Sequence, residues 1–171
     1  DITDDRGHVR VYQNIDGTWI QMGGDIDGEA RDDFSGSSVS LSSDGTRLAI
    51  GTPANDGNGI SSGHVRVYEY TSGTWEQMGS DIDGDAEGDY SGQSVSLNDD
   101  GFILAIGANY NDGNGIDAGQ VRIYQYEGSD WVQMGVDIDG EAAGDGSGHS
   151  ISLSDDGFRV AIGAFSNDGN G

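Results

Sequence analysis

The 171-residue sequence contains no cysteine and no lysine, and it has only one proline. The lack of cysteine excludes a disulfide scaffold, a thiolate zinc site and cysteine-based catalysis. Its 7 basic residues, all arginine, face 31 acidic residues, and the formal net charge is −24. Such a charge argues against nucleic-acid partners and anionic lipid surfaces. The longest apolar run, residues 102–108, is far too short to span a bilayer, so we expect no membrane insertion.

A 56-residue repeat fills most of the chain. Tryptophan and methionine recur at this spacing without gaps, at Trp19, Trp75 and Trp131 and at Met22, Met78 and Met134. Repeats of this length indicate an array of one supersecondary unit. We predict one repeat array with a lead-in at residues 1–6 and units at 7–62, 63–118 and 119–171, the last of them incomplete.

Within each unit the hydrophobic pattern has the period of strands rather than helices. In the second unit we predict strands at 63–70, 75–78, 93–97 and 102–107, an acidic loop at 79–92 and a hairpin turn at 98–101. The continuous apolar run at 102–107 predicts a strand buried on both faces, and the serines of 93–97 are predicted to face solvent. The sequence therefore predicts an all-β repeat protein of four-stranded antiparallel blades of the β-propeller type, with a β-solenoid as the alternative.

The unit resembles the FG-GAP repeat, the blade of the integrin α-subunit propeller. The resemblance is carried by FSGSSVSL (34–41), DG (44–45), LAIGTP (48–53) and GHVRVY (63–68), and it recurs in every unit. It implies a β-propeller fold. The family's calcium loop lies between two blade strands, where this chain has only the turn 44–45, so that calcium role is not carried over to this position.

The predicted unit boundaries are permuted, so that both ends of the sequence fall within a blade. The first partial blade lacks its first two strands and the last one lacks its last two, which makes the halves complementary. Three blades are too few for a closed propeller, and unpaired strand edges invite further strands. We expect self-association into a ring, a filament or a longer array. The alternative is a segment cut from a longer propeller, such as one of seven blades.

The acidic loops are the candidate metal sites, because calcium takes six to eight hard oxygen ligands and alternating acids on a bent loop can converge on it. Carboxylates occupy relative positions 1, 3, 5 and 9 of each loop. The predicted calcium ligands are Asp25, Asp27, Glu29 and Asp33, then Asp81, Asp83, Asp85 and Asp89, then Asp137, Asp139, Glu141 and Asp145. The alternative is that these acids only solvate a loop or cap turns.

Three further patterns recur. The NDGNG segments at 55–59, 111–115 and 167–171 favour turns, with a supply of oxygen ligands as the alternative. The three tryptophans favour core packing between blades over sugar-stacking platforms. Arg10, Arg66 and Arg122 are predicted to pair with nearby acids.

These observations favour a non-enzymatic structural or adhesive protein, extracellular or at the cell surface, whose partners are copies of itself and whose cofactor is calcium. Strong acidity suits a saline or calcium-rich exterior, where cations screen self-repulsion. A propeller-type binding module for an extracellular glycan or protein is the alternative. An enzyme is disfavoured, because every loop is repeated and no catalytic constellation stands out.

Overall fold

The computed structural model describes residues 5–169, and within them every regular element is a β-strand. The strands are β1 (His8–Val9), β2 (Tyr12–Ile15), β3 (Thr18–Gln21), β4 (Ile26–Asp27), β5 (Ser38–Leu41), β6 (Arg47–Thr52), β7 (His64–Thr71), β8 (Thr74–Gln77), β9 (Ile82–Asp83), β10 (Ser94–Leu97), β11 (Ile103–Ala108), β12 (Gln120–Tyr126), β13 (Trp131–Gln133), β14 (Ile138–Asp139), β15 (Ser147–Leu153) and β16 (Val160–Ala164). The all-β prediction is confirmed.

The strands form small antiparallel sheets that follow one another along the chain. One sheet has the order β5-β6-β7-β8, with β9 added to β7, and the next has the order β10-β11-β12-β13, with β14 added to β12. Before them lie the pairs β1-β4 and β2-β3, and after them lies the pair β15-β16. Each large sheet takes two strands from one 56-residue unit and the rest from the next. The number of blades and the unit boundaries stay predictions.

The local pattern accounts for most of these strands. Strand β11 is buried along its whole length, as the apolar run predicts, and it pairs with β10 and β12 on its two sides. The turn between β7 and β8 has positive φ at Ser72 and Gly73, the geometry of a two-residue hairpin. The acidic loop is less irregular than predicted, since β9 lies within it and pairs Asp83 with His64.

The hydrophobic core lies between consecutive sheets rather than within any one of them. One cluster joins Val67 and Met78 of the β5–β9 sheet to Leu104, Tyr124 and Trp131 of the next sheet. The preceding cluster has the same composition shifted by 56 residues, and it contains Val11, Met22, Leu48, Tyr68 and Trp75. A sheet in this fold therefore depends on its neighbour to cover its apolar face.

The tryptophans report how complete each core is. The Nε1 atoms of Trp75 and Trp131 donate hydrogen bonds of 2.8 Å to the carbonyls of Met22 and Met78. Trp131 is 8% exposed, whereas Trp19, in the first sheet, is 66% exposed. Core packing is confirmed for Trp75 and Trp131 and is wrong for Trp19 in the single chain, where no sheet precedes it in the described residues.

The prediction that the strand serines face solvent is wrong for the serines that link sheets. Ser94 Oγ donates to the carbonyl of Gly148 at 2.7 Å, and Ser96 Oγ accepts from the amide of Leu153 at 3.0 Å. These bonds need a close approach of the two backbones, which Gly107 permits. A Cβ at Gly107 would lie 2.1 Å from the carbonyl oxygen of Gly148.

Gly107→Ala is expected to lower the free energy of unfolding by about 1–3 kcal/mol, because the added methyl group forces the sheets apart. Gly24→Ala is the matched control, since a Cβ there meets nothing within 4 Å. Urea unfolding of both variants checks the difference. Equal losses in the two variants would contradict tight packing between sheets at Gly107.

Candidate functional site

The acids at position 9 of the loops point inward and are buried. Asp89 accepts hydrogen bonds from the amide of Ala86 at 3.0 Å and from Asn111 Nδ2 at 2.9 Å. Asp33 and Asp145 repeat this arrangement with Asn55 and Asn167. Burial raises the pKa of Asp89, although the bond from Asn111 acts in the opposite direction. These carboxylates tie each acidic loop to the next NDGNG segment.

The acids at position 5 make ion pairs between units. Arg122 Nη1 lies 2.6 Å from Asp85 Oδ1, and its Nη2 donates to the carbonyl of Asp83 at 2.8 Å. Arg66 Nη2 lies 3.0 Å from Glu29 Oε2 without hydrogen-bond geometry. Glu141 holds the same position in the third loop, and its carboxylate has no cationic partner within residues 5–169. The predicted pairing of the arginines with nearby acids is confirmed.

The first arginine pairs differently, because no earlier loop precedes it in the described residues. Arg10 forms a two-bond pair with Asp25 of its own loop, at 2.9 and 2.7 Å. This contact, together with a bond from Gln21, lowers the pKa of Asp25 to about 2. Asp25 is exposed and the pair is screened, so we assign it little stabilisation.

The remaining acids lie on the surface or on short strands. The position-1 acids each accept from a glutamine side chain four residues earlier, in the pairs Gln21–Asp25, Gln77–Asp81 and Gln133–Asp137. The position-3 acids, Asp27, Asp83 and Asp139, end β4, β9 and β14. Gln120 Nε2 donates to Asp139 Oδ1 at 3.3 Å.

The structure does not gather the four acids of one loop into a single cluster. Over the described part of the chain, one group of possible metal ligands has its ligand atoms within 4.8 Å of one another, and it consists of Glu29, His64 and Asp81. The Arg66 guanidinium occupies the same space, 3.0 Å from Glu29 and 3.8 Å from Asp81. Because this cation already balances the two carboxylates, the group is poorly suited to a metal ion. Calcium binding by the acidic loops stays a prediction.

His64 lies at the centre of that group and is almost fully buried. Burial lowers its pKa, and the nearby Arg66 lowers it further. The ring is therefore neutral near pH 7. The third unit has Gln120 at the corresponding position, so this histidine serves one interface rather than the repeat in general.

An open pocket of about 470 Å³ lies where the loops of the first two units meet. The aromatic rings of Phe34 and Tyr90 line it beside Asp32, Asp56 and Gln93. Both aromatic residues have positive φ, 56° and 54°, which non-glycine residues rarely adopt. Sequence analysis missed this pocket, and the available signal was an aromatic residue before Ser-Gly in two of the units.

The asparagine contacts were also missed. The NDGNG segments do form turns, since Asn111 Oδ1 accepts from the amide of Gly113 at 2.8 Å. Their amide groups reach across to the acidic loops as well. The signal was the constant separation of 22 residues between the buried acid and its asparagine.

Residues 79–124 match the family model of the FG-GAP repeat. The predicted resemblance is therefore confirmed over this segment. It contains the second acidic loop, β9 to β11 and most of β12, including Asp89, Asn111 and Arg122. The residues that join neighbouring sheets thus lie within the FG-GAP segment.

Seventy chains of solved structures resemble this fold. One is a candidate 6-phosphogluconolactonase from Bacteroides uniformis, with a TM-score of 0.61 and 14% sequence identity. The match covers 93% of this chain and 41% of that chain, so the present chain spans about two fifths of the neighbour. At this identity the likeness establishes the fold alone. A search of curated proteins found no match, and residues 5–169 include no helix long and apolar enough to cross a membrane.

Asn111→Ala is expected to lower the free energy of unfolding by about 2 kcal/mol at pH 7, because it leaves the buried Asp89 carboxylate without its side-chain donor. The folded protein takes up a proton on Asp89 at a higher pH than the unfolded chain does, since the pKa is raised. The loss should therefore shrink as the pH falls toward 4. Urea unfolding across this range checks the sign.

Asn114→Ala is the control, because its amide donates to the backbone carbonyls of Gly140 and Glu141, which do not titrate. Its loss should be smaller and nearly independent of pH. A loss for Asn111→Ala that grows on acidification would contradict the assignment to Asp89.

Proposed function

We propose that this chain is a propeller-type module of FG-GAP repeats that acts as a non-enzymatic structural or adhesive protein outside the cell. In this proposal it self-associates through complementary sheet edges, and calcium stabilises the assembly. The FG-GAP segment and the row of repeated antiparallel sheets support a propeller-type module. The identical use of each unit for packing supports a structural role over a catalytic one.

The observation that carries the proposal is a pair of matching edges. Within the described residues, β16 pairs only with β15, whereas the corresponding β11 also pairs with β12. At the other end β2 pairs only with β3, whereas the corresponding β7 also pairs with β6. Shifted along the repeat, the β11–β12 register places Ile162 opposite Arg10. The two edges can thus complete one four-stranded sheet between copies.

Acidity and composition support the external, calcium-containing setting. A net charge of −24 on a chain of this size repels itself, and divalent cations reduce that repulsion. The carboxylates without cationic partners, such as Glu141, are the ones open to an added cation. The lack of cysteine is compatible with an exterior protein held together without disulfides.

A binding module is the second candidate, and the pocket at Phe34 and Tyr90 favours it. The volume of about 470 Å³ is within the range of small-molecule sites, and two aromatic rings beside acids and an amide suit an uncharged glycan or a peptide. A glycan array would test this, with Phe34→Ala expected to lose the signal. Val136→Ala, which is highly exposed and lies outside the pocket, is the control.

Light scattering of the 171-residue chain tests the main proposal. We expect a mass of more than one chain in calcium, a lower mass after chelation, and recovery on adding calcium but not magnesium. A multiple-chain mass that ignores chelation would remove calcium from the proposal and keep self-association. A single-chain mass under all conditions would overturn self-association and leave the binding module as the leading function.

A further inference from the structure

An apolar pocket lies at the face of the last sheets, where β12 to β14 meet β15 and β16. It has a volume of about 220 Å³ and contains the side chains of Ile123, Met134, Ile138, Leu153, Phe158 and Val160. Phe158 is 73% exposed, and no described residue covers it. Apolar surface gathered in this way marks a site that a partner covers.

The preceding interface shows the same pocket in its filled state. Val67, Met78, Ile82, Leu97 and Leu104 stand 56 residues before the matching pocket residues, and all are buried. Tyr124 and Trp131 cover them, and Trp131 donates its indole hydrogen to the carbonyl of Met78. The repeat thus specifies the chemistry of the missing cover: a tyrosine and a tryptophan carried by a β-hairpin.

That hairpin is present at the other end of the same chain and is uncovered. Tyr12 and Trp19 on β2 and β3 correspond to Tyr124 and Trp131, and they are 45% and 66% exposed. We propose that Tyr12 and Trp19 of one copy seat in the Ile123–Met134–Phe158 pocket of a second copy, with Trp19 Nε1 donating to the carbonyl of Met134. This inference rests on the proposed self-association and names the surfaces that perform it.

Polar groups on the two surfaces are complementary as well. Position-5 acids pair with the arginine of the following unit in both complete interfaces, Glu29 with Arg66 and Asp85 with Arg122. Glu141 is the third such acid, and Arg10 of a second copy is the matching arginine. Arg66 lies near both the Glu29 and the Asp81 carboxylates, so Arg10 can approach Glu141 while it stays close to Asp25.

The second copy also covers β5. Val39 and Leu41 are 52% and 47% exposed, whereas the corresponding Val95 and Leu97 are buried against the sheet before them. In the assembly β15 and β16 of the partner take the place of that sheet. The Ser152 hydroxyl would then accept from the Leu41 amide, as Ser40 accepts from Leu97 at 2.9 Å.

The same geometry sets the number of copies at two. Each chain carries three repeat lengths, so two copies carry six, which is within the four to eight blades of closed propellers, and three copies exceed that range. The solved neighbour, of which this chain matches 41%, likewise has room for more than two such segments. A further repeat in a longer polypeptide would fill the pocket in the same way, and the experiment below separates these cases.

Introduced cysteines test the register, because the chain has no cysteine of its own. The pairing of Ile103 with Gln125 predicts that Arg159 of one copy lies opposite Gln13 of the other. We expect a mixture of Arg159→Cys and Gln13→Cys chains to form a disulfide-linked dimer on mild oxidation. Asn14→Cys is the control, since its side chain points to the opposite face of the strand. The double variant should give one two-chain species, closed by two disulfides.

Trp19→Ala should raise the dissociation constant at least about tenfold, since buried tryptophans dominate interfaces. Ile15→Ala is its control, because the corresponding Thr71 stays exposed in the complete interface, so its dissociation constant should be unchanged. Thermal unfolding of single chains at low concentration would verify that neither variant loses its fold.

The outcomes separate the two proposals. A wild-type chain that stays single at all concentrations overturns self-association and this inference with it. Association that is indifferent to Trp19→Ala, with no Gln13–Arg159 disulfide, leaves self-association standing and overturns the pocket assignment. A ladder of ever larger species from the double variant overturns the two-copy ring.

Discussion

The apolar face of each sheet is buried only against the next sheet in the row, and the rest of the structure depends on this packing. The strands are short, so no single sheet encloses a core of its own. Met78 and Leu104 from neighbouring sheets meet beneath Trp131, and the same contacts recur 56 residues earlier at Met22, Leu48 and Trp75. Stability in such an array is a property of neighbours, and the outermost faces are where it is incomplete.

The strong negative charge is accommodated by assigning the inward acids to fixed partners. Asp89 is held by Asn111 and a backbone amide, and Asp85 by Arg122, so each acidic loop is joined to the unit that follows it. Buried or half-buried charges without such partners would be costly. An acid used in this way is less free to bind a cation, which limits any metal site to the outward-facing carboxylates or to loops that rearrange.

The interface chemistry and the self-association proposal arise from one feature, the translation of a single set of contacts along the chain. Arg10 and Arg122 have the same local sequence, and yet one pairs with its own loop and the other with the preceding loop. Tyr12 and Tyr124 differ in the same way, since only the second has a sheet to cover. The exposed groups at each end are therefore the unfilled halves of contacts that the interior of the chain already forms.

The sequence by itself determined the 56-residue repeat, the strand positions, the hairpin turns and the all-β class, because period-two patterning and turn residues act over a few neighbouring positions. It also identified the fully buried strand at 103–108 and the pairing of the arginines with acids. Only the tertiary structure decided that Ser94 and Ser96 link two sheets, that Asn111 holds Asp89, that the four acids of a loop diverge, and that Trp19 is exposed while Trp131 is buried. These outcomes depend on how far one sheet is offset from the next. That offset is set by close backbone approaches such as Gly107 to Gly148, which join residues too far apart in sequence for any local pattern to encode.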